Sequence, residues 1–345
     1  MRVTSDSQDS IRNTDAYYHV VLERIPPRPE PAFHDPEMQE RVWGRRWGVT
    51  NDVGTLRLVA LHRPGVEMER IDPDKYDDTI EALIDDREQW YWRDVEPPDI
   101  ALMQSQHDGL RAALAAEGVE IVDVGGSEGD VKAVFTRDMA IAINGGAIIC
   151  RMGPVGIPYG TGRRGEEAYV TKVLADLGMP IIRTIAGTGL LEGGSFCFLD
   201  ESTAAVGMSF RQNEEGARQL EEALAVTGVR LLRVPLTGHA LHLDGGIVMV
   251  DRDKALINVT RLPYWFLDEL KGLGIEPIHV WPGEGHAVNS LAVRPGRILI
   301  SEGTPRTVDR LNAAGVETVV VPYSEIRKNG GGIHCSTLPL LRDPE

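Results

Sequence analysis

The 345-residue chain has only three cysteines, and only 6% of its residues are aromatic. Cys150, Cys197 and Cys335 are odd in number and widely separated, so neither a disulfide framework nor a paired-cysteine metal site can be drawn from them. No apolar run approaches the roughly 18 residues of a membrane span. The opening Met1-Arg2-Val3-Thr4-Ser5-Asp6-Ser7 is polar with no apolar segment behind it, which argues against a secretory signal and for a cytoplasmic location. Basic charge is also short. With a formal charge of −16 and no clustered lysine and arginine, a nucleic-acid partner is not expected, whereas an acidic field favours a small cation.

What remains is a globular composition, 42% hydrophobic and 26% charged, long enough to bury a substantial core. Near the start, Ile25-Pro26-Pro27-Arg28-Pro29-Glu30-Pro31 cannot be helix interior or central strand. Residues 1–50 therefore predict an extended arm that wraps the domain or a neighbouring copy in a homo-oligomer, with Trp43 and Trp47 as anchors. Residues 51–345 read as a single domain in which one unit recurs: strand pair, amphipathic helix, glycine, short β-branched strand. The closing segments begin at Gly118, Gly178, Gly228, Gly274 and Gly315, at intervals that shorten along the chain. Residues 214–226 put Ala217, Leu220, Ala223 and Leu224 on one stripe, and residues 262–273 do the same with Phe266, Leu270 and Leu273. Short polar turns such as Asp200-Glu201-Ser202-Thr203 and Arg294-Pro295-Gly296 join strand pairs in hairpin fashion. The expected architecture is an α/β ring of five ββαβ units with a site on its axis.

One stretch points to chemistry: Asn329-Gly330-Gly331-Gly332-Ile333-His334-Cys335-Ser336-Thr337. Consecutive glycines let a backbone take φ > 0 and approach a ligand closely, and they deliver a thiol. Cys150 and Cys197 lie in apolar strand-like runs where inert thiols belong. A nucleophilic cysteine needs a base and a holder for its electrophile. Three segments offer them: Phe135-Thr136-Arg137-Asp138, Leu191-Glu192-Gly193-Gly194 and His242-Leu243-Asp244-Gly245-Gly246. Strand-like alternation would put His242 and Asp244 on one face and turn His334 away from Cys335. Acyl transfer calls for N–H donors to an oxyanion, whereas several carboxylates beside a thiol suit a planar cation, above all a guanidinium.

Those motifs, in this order, resemble the guanidine-modifying enzymes of the pentein superfamily: arginine deiminases, dimethylarginine dimethylaminohydrolase, agmatine deiminase and the amidinotransferases. The likeness runs from Gly48-Val49 and Gly54-Thr55-Leu56-Arg57 to Leu341. It implies Cys335 as nucleophile, His242 as general acid and base, Glu192 as a carboxylate touching guanidinium and histidine, and Asp138 and Asp244 as grips on guanidinium nitrogens. It implies no metal and no organic cofactor. Arg163 and Arg164 in Gly162-Arg163-Arg164-Gly165-Glu166, Arg211 and Arg261 are candidates to hold a substrate carboxylate, and Asn289 falls at an axis-facing position. The implied reaction is hydrolysis of arginine or an N-substituted arginine to citrulline plus ammonia or amine. Amidino transfer from arginine to an amine is the alternative, and a non-catalytic pentein binding a macromolecular partner a third reading. Two features bear on the choice. The helical insertion of bacterial arginine deiminases is missing after Arg164, and Glu192 stands where glycine amidinotransferase has Asp, which favours hydrolysis.

Overall fold

Five three-stranded sheets share one wiring, because each hairpin is followed by a helix that returns the chain alongside its second strand. In the computed structural model, which describes residues 11–26, 35–125, 130–153, 163, 165–238 and 240–344, the second strand of each hairpin pairs antiparallel with the first and parallel with the closing strand. Phe196–Phe198, Thr203–Met208 and Arg230–Pro235 form one such sheet, and Ile247–Asp251, Lys254–Ile257 and Glu276–His279 the next. Leu291–Arg294, Arg297–Ser301 and Glu317–Val321 repeat the pattern, as do Ala140–Ile143, Gly146–Ile149 and Ile181–Thr184. The first sheet draws on both halves of the chain. Leu56–Leu61 lies between Glu120–Asp123, in parallel, and Leu338–Arg342, antiparallel.

The returning helices are Ile100–Ala116, Glu166–Asp176, Glu214–Ala225, Tyr264–Gly272 and Pro305–Ala313. Each is followed by a glycine at φ between +75° and +82°: Gly118, Gly178, Gly228, Gly274 and Gly315. That left-handed residue ends the helix and turns the chain into the closing strand. The stripes read from sequence face inward, with Ala217, Leu220, Leu224 and Phe266 fully buried. Asn213 starts the third of these helices by accepting from Gly216 N at 2.9 Å. The hairpin strands are apolar on both faces, so polar side chains collect at the strand entries.

Two expectations change. The 1–50 arm is helical over Asp15–Arg24 and Pro36–Trp43, and most of its proline run lies outside the described residues. Proline fixes only its own φ. Downstream, Pro36 at the first helical position and the Asp35 side chain, accepting from Met38 N at 2.8 Å, start a helix. Trp47 is buried and donates to Trp43 O, whereas the Trp43 side chain is exposed, so the burial expected of both rings is seen for Trp47. A sixth sheet was not anticipated: Tyr76–Asp77, Ala82–Asp85 and Trp90–Trp92 pair antiparallel. Among the described residues no helix is long and apolar enough to cross a membrane.

Candidate active site

Cys335 is carried by the glycine loop that the sequence singled out. Gly330 sits at φ +108°, and a Cβ there would fall 2.3 Å from the Tyr91 hydroxyl, so both conformation and space require glycine. After the thiol, Ser336 Oγ donates to Gly332 O at 3.0 Å and Thr337 Oγ1 to Ile333 O at 3.0 Å, closing the loop on itself. Asn289 fixes the nucleophile at two points. Its Nδ2 donates to Cys335 Sγ at 3.0 Å, and its Oδ1 accepts from Cys335 N at 3.1 Å. The thiol in turn donates to Asp244 Oδ2 at 3.0 Å. Burial, then the negative charges of Asp244 and Asp138, hold this thiol well above its ordinary 9.0.

His242 precedes a short 3-10 turn, Leu243–Gly245, and Asp244 lies within it, so the two do not alternate along a strand. Their side chains therefore face different partners. His242 Nε2 meets Glu192 Oε2 at 2.6 Å, and its Nδ1 lies 3.6 Å from Asp138 Oδ1. Burial disfavours the imidazolium, but the carboxylates of Asp138 and Glu192 outweigh it and lift His242 to about 9. Glu192 is fully buried; desolvation pushes its carboxyl up, yet His242 and Arg211 bring it down to about 2. Asp244 also bonds His334 Nδ1, at 2.9 Å. That bond overcomes burial and holds Asp244 at about 2. His334 thus shares Asp244 with the thiol instead of pointing away, because the loop folds as a turn and not as a strand.

Gly194 explains the paired glycines after Glu192. Its N–H donates to Asp138 Oδ1 at 3.0 Å, and a Cβ there would lie 2.7 Å from that oxygen and 2.8 Å from His242 Nδ1.

Of the candidate carboxylate-binding arginines, Arg163 is mostly engaged inside the protein. It ion-pairs with Asp138, meets Glu166 at 2.6 Å through both Nε and Nη2, and donates to Phe135 O at 2.8 Å. Four of its five N–H groups are thus taken, which leaves at most one Nη1–H for a substrate carboxylate. Desolvation of this buried trio favours internal pairing. Arg164 lies outside the described residues. Arg211 Nη1 donates to Glu192 Oε1 at 2.9 Å, and its Nε is buried with no partner among the described residues. Arg261 does not line the cavity that holds Cys335. It borders a neighbouring cavity on the other side of the Gly330–Gly332 loop, with Arg93, Arg327, His286 and Asn289.

Cys335, His242, Asp138, Arg163 and Arg211 line one cleft of about 80 Å³ together with Lys132, Phe135, Gln89, Tyr91 and Asn329. Lys132 went unnoticed in the sequence, although a lone lysine in Val131-Lys132-Ala133-Val134-Phe135 was a usable signal. Its Nζ donates at 2.7 Å to Tyr91 O, Asn329 O and Asn329 Oδ1, tying the glycine loop to the sixth sheet. Cys150 and Cys197 are buried and free. Asp138, Glu192 and His242 offer donor atoms within 4.8 Å of one another, a spacing that could accept a metal ion. Arg163 and Arg211 already neutralise the two carboxylates, so a diffuse organic cation matches the residual charge better than a divalent ion.

The arginine deiminase family model matches residues 132–261 and 284–342, more than half of the chain, including the segments that carry Asp138, Glu192, His242, Asp244, Asn289 and Cys335. The chain belongs to the arginine deiminase family. Within that family of guanidine-modifying pentein proteins it is similar to a dimethylarginine dimethylaminohydrolase from Streptomyces coelicolor, 27% identical over 247 residues that cover 71% of this chain and 88% of the relative. Its fold is that of the dimethylarginine dimethylaminohydrolase from Pseudomonas aeruginosa, solved with citrulline: TM-score 0.65, 23% identity, covering 83% of this chain and 100% of that one. The inosamine-phosphate amidinotransferase of Streptomyces griseus has the same TM-score, 0.65, at 17% identity, covering 87% of this chain and 97% of that one. The sixth sheet, 76–92, falls outside both segments matched by the family model.

Proposed function

We propose that this arginine deiminase-family protein hydrolyses the guanidine group of arginine or an N-substituted arginine through a covalent intermediate on Cys335. The observation that carries the reading is the convergence of a thiol, an imidazole and three carboxylates from four distant segments around one cleft. In the free site the sulfur is a neutral thiol and His242 an imidazolium. Entry of a guanidinium beside Asp138 and Asp244 cancels the negative charge that held the thiol proton, so the thiol releases that proton to solvent as the cation arrives.

The thiolate then attacks the guanidinium carbon, forming the S–C bond. His242 gives its proton to the leaving nitrogen, the C–N bond breaks, and ammonia or an amine departs, leaving a cationic thiouronium on Cys335. Neutral His242 next takes a proton from water, whose oxygen adds to the same carbon. Collapse breaks the C–S bond, the hydroxyl proton passes to the departing sulfur and restores the neutral thiol, and the product urea keeps the water oxygen. Glu192 holds the ring through both steps, and the unpartnered Nε–H of Arg211 is available to a substrate carboxylate.

Five sheets of one wiring support a five-bladed ring as the frame for this site, formed by residues 51–345. Ala140–Ile143 touches Leu338–Arg342, Phe196–Phe198 touches Ile247–Asp251, and Leu291–Arg294 touches both Ile247–Asp251 and Leu56–Leu61. Amidino transfer is the second reading. It is favoured by the neighbouring cavity, whose described lining includes Arg93, Arg261 and Arg327 and no carboxylate, and which suits an amine acceptor that carries an anionic group. Incubation with arginine decides between them: citrulline without added amine supports hydrolysis, and ornithine formed only with an acceptor overturns it.

A further inference from the structure

The hairpin of the sixth sheet places one side chain where the fold gives it nothing to bond. Asp85 and Trp90 pair across the ends of a four-residue loop, and the Asp85 side chain fixes that loop by accepting from Arg87 N at 2.8 Å and Glu88 N at 3.0 Å. The loop ends at Gln89 with φ +61°, a conformation that glycine or asparagine takes with less strain. Strand alternation then sets direction. Trp90 and Trp92 are buried in the core, so Gln89 and Tyr91 share the opposite face, and both line the cleft of Cys335. The Gln89 Oε1 and Nε2 are both closed to solvent and have no hydrogen-bond partner among the described residues.

A buried amide without partners is unfavourable unless something arrives to satisfy it. Arg211, which lines the same cleft, carries a second donor with no partner among the described residues, its buried Nε. An acceptor and two kinds of donor, placed in a cleft whose thiol and carboxylates take the guanidinium, match a zwitterionic amino-acid head. We propose that Gln89 is a substrate-reading residue: Oε1 accepts from the α-ammonium, and Nε2 donates, with Arg211 Nε, to the α-carboxylate. This rests on the guanidine-hydrolase reading and adds its specificity element. Gln89 comes from a hairpin that the family model does not match, whereas Arg211 lies inside a matched segment, so one part of the head-group reading is set apart from the catalytic segments.

The test uses the full chain and two variants, Gln89→Leu, which removes the hydrogen bonds at similar volume, and Gln89→Gly, which accepts the positive φ. Turnover is measured with arginine or N,N-dimethylarginine, whichever is processed, and with agmatine, which lacks the carboxylate. Alkylation of Cys335 by 2-chloroacetamidine reports the thiol site independently. Both variants should be alkylated at the wild-type rate. Their kcat/KM for the amino-acid substrate should fall about 10- to 100-fold, carried by KM, and agmatine, which keeps the ammonium contact and lacks only the carboxylate one, should lose less. Gln89→Gly should also melt above wild type. An amino-acid KM within twofold of wild type, with alkylation intact, overturns the assignment of Gln89 alone. Slowed alkylation in the variants also overturns it, because Gln89 would then shape the thiol site rather than read the head group. Wild-type protein that neither alkylates nor turns over any guanidine overturns the catalytic reading and this inference together.

Discussion

Single side chains decide the pH behaviour. His242 is held at about 9, so it is a competent acid through neutral pH, and kcat/KM should fall as pH rises through about 9. Glu192→Gln removes one of the anions that lift it, so that alkaline limb should move to lower pH while the rate drops by about 10²-fold or more. A pH–rate profile of the variant checks both. Cys335→Ser should abolish turnover with an unchanged melting temperature, since a hydroxyl fills nearly the same space between Asn289 and Asp244. Turnover should survive a chelator, because Arg163 and Arg211 occupy the charge that a divalent ion would need; loss on chelation with rescue by one metal would contradict this. Asp138, Glu192, His242 and Cys335 were all legible from their motifs. The engagement of Arg163 was not, because its partner Glu166 looked like an ordinary first-turn acid of a helix.

Among the elements, the hairpins and returning helices were readable because hydrophobic period, turn residues and the C-terminal glycines all agreed. The sixth sheet was not readable, since its strands are two to four residues long and its positive-φ residues are Glu81 and Gln89 rather than glycine. Element-level packing gives two further tests. Leu220→Ala, on the fully buried stripe of Glu214–Ala225, should destabilise by about 2–5 kcal/mol in denaturant melts and leave KM alone. Gly194→Ala should do the reverse. Its methyl group would press on Asp138 and His242, so activity should fall about 10²-fold or more with a smaller loss of stability.

For the whole molecule, acid sensitivity follows from the buried carboxylates. Glu192 drops from an ordinary 4.5 to about 2, and Asp244 from 3.8 to about 2. Folded values below unfolded ones mean that this stabilisation is complete above about pH 4.5 and is lost as pH falls toward 2. His242 has the opposite sign, contributing fully below its ordinary 6.5 and losing that contribution as pH rises through about 9. His107, which burial holds down to about 4, adds a loss as pH falls below its ordinary 6.5, so chemical denaturation across the pH range should show a maximum near pH 6.5, with Glu192 and His242 counted once as a pair. The pairing of Leu56–Leu61 with Leu338–Arg342 sets the timing of assembly. During synthesis Leu56–Leu61 waits for Leu338–Arg342 to leave the ribosome, and Cys335 emerges only just before that strand. A copy interrupted before that point carries neither the sulfur nor the strand that completes its first sheet, so a truncated polypeptide lacks the proposed nucleophile and part of its frame together.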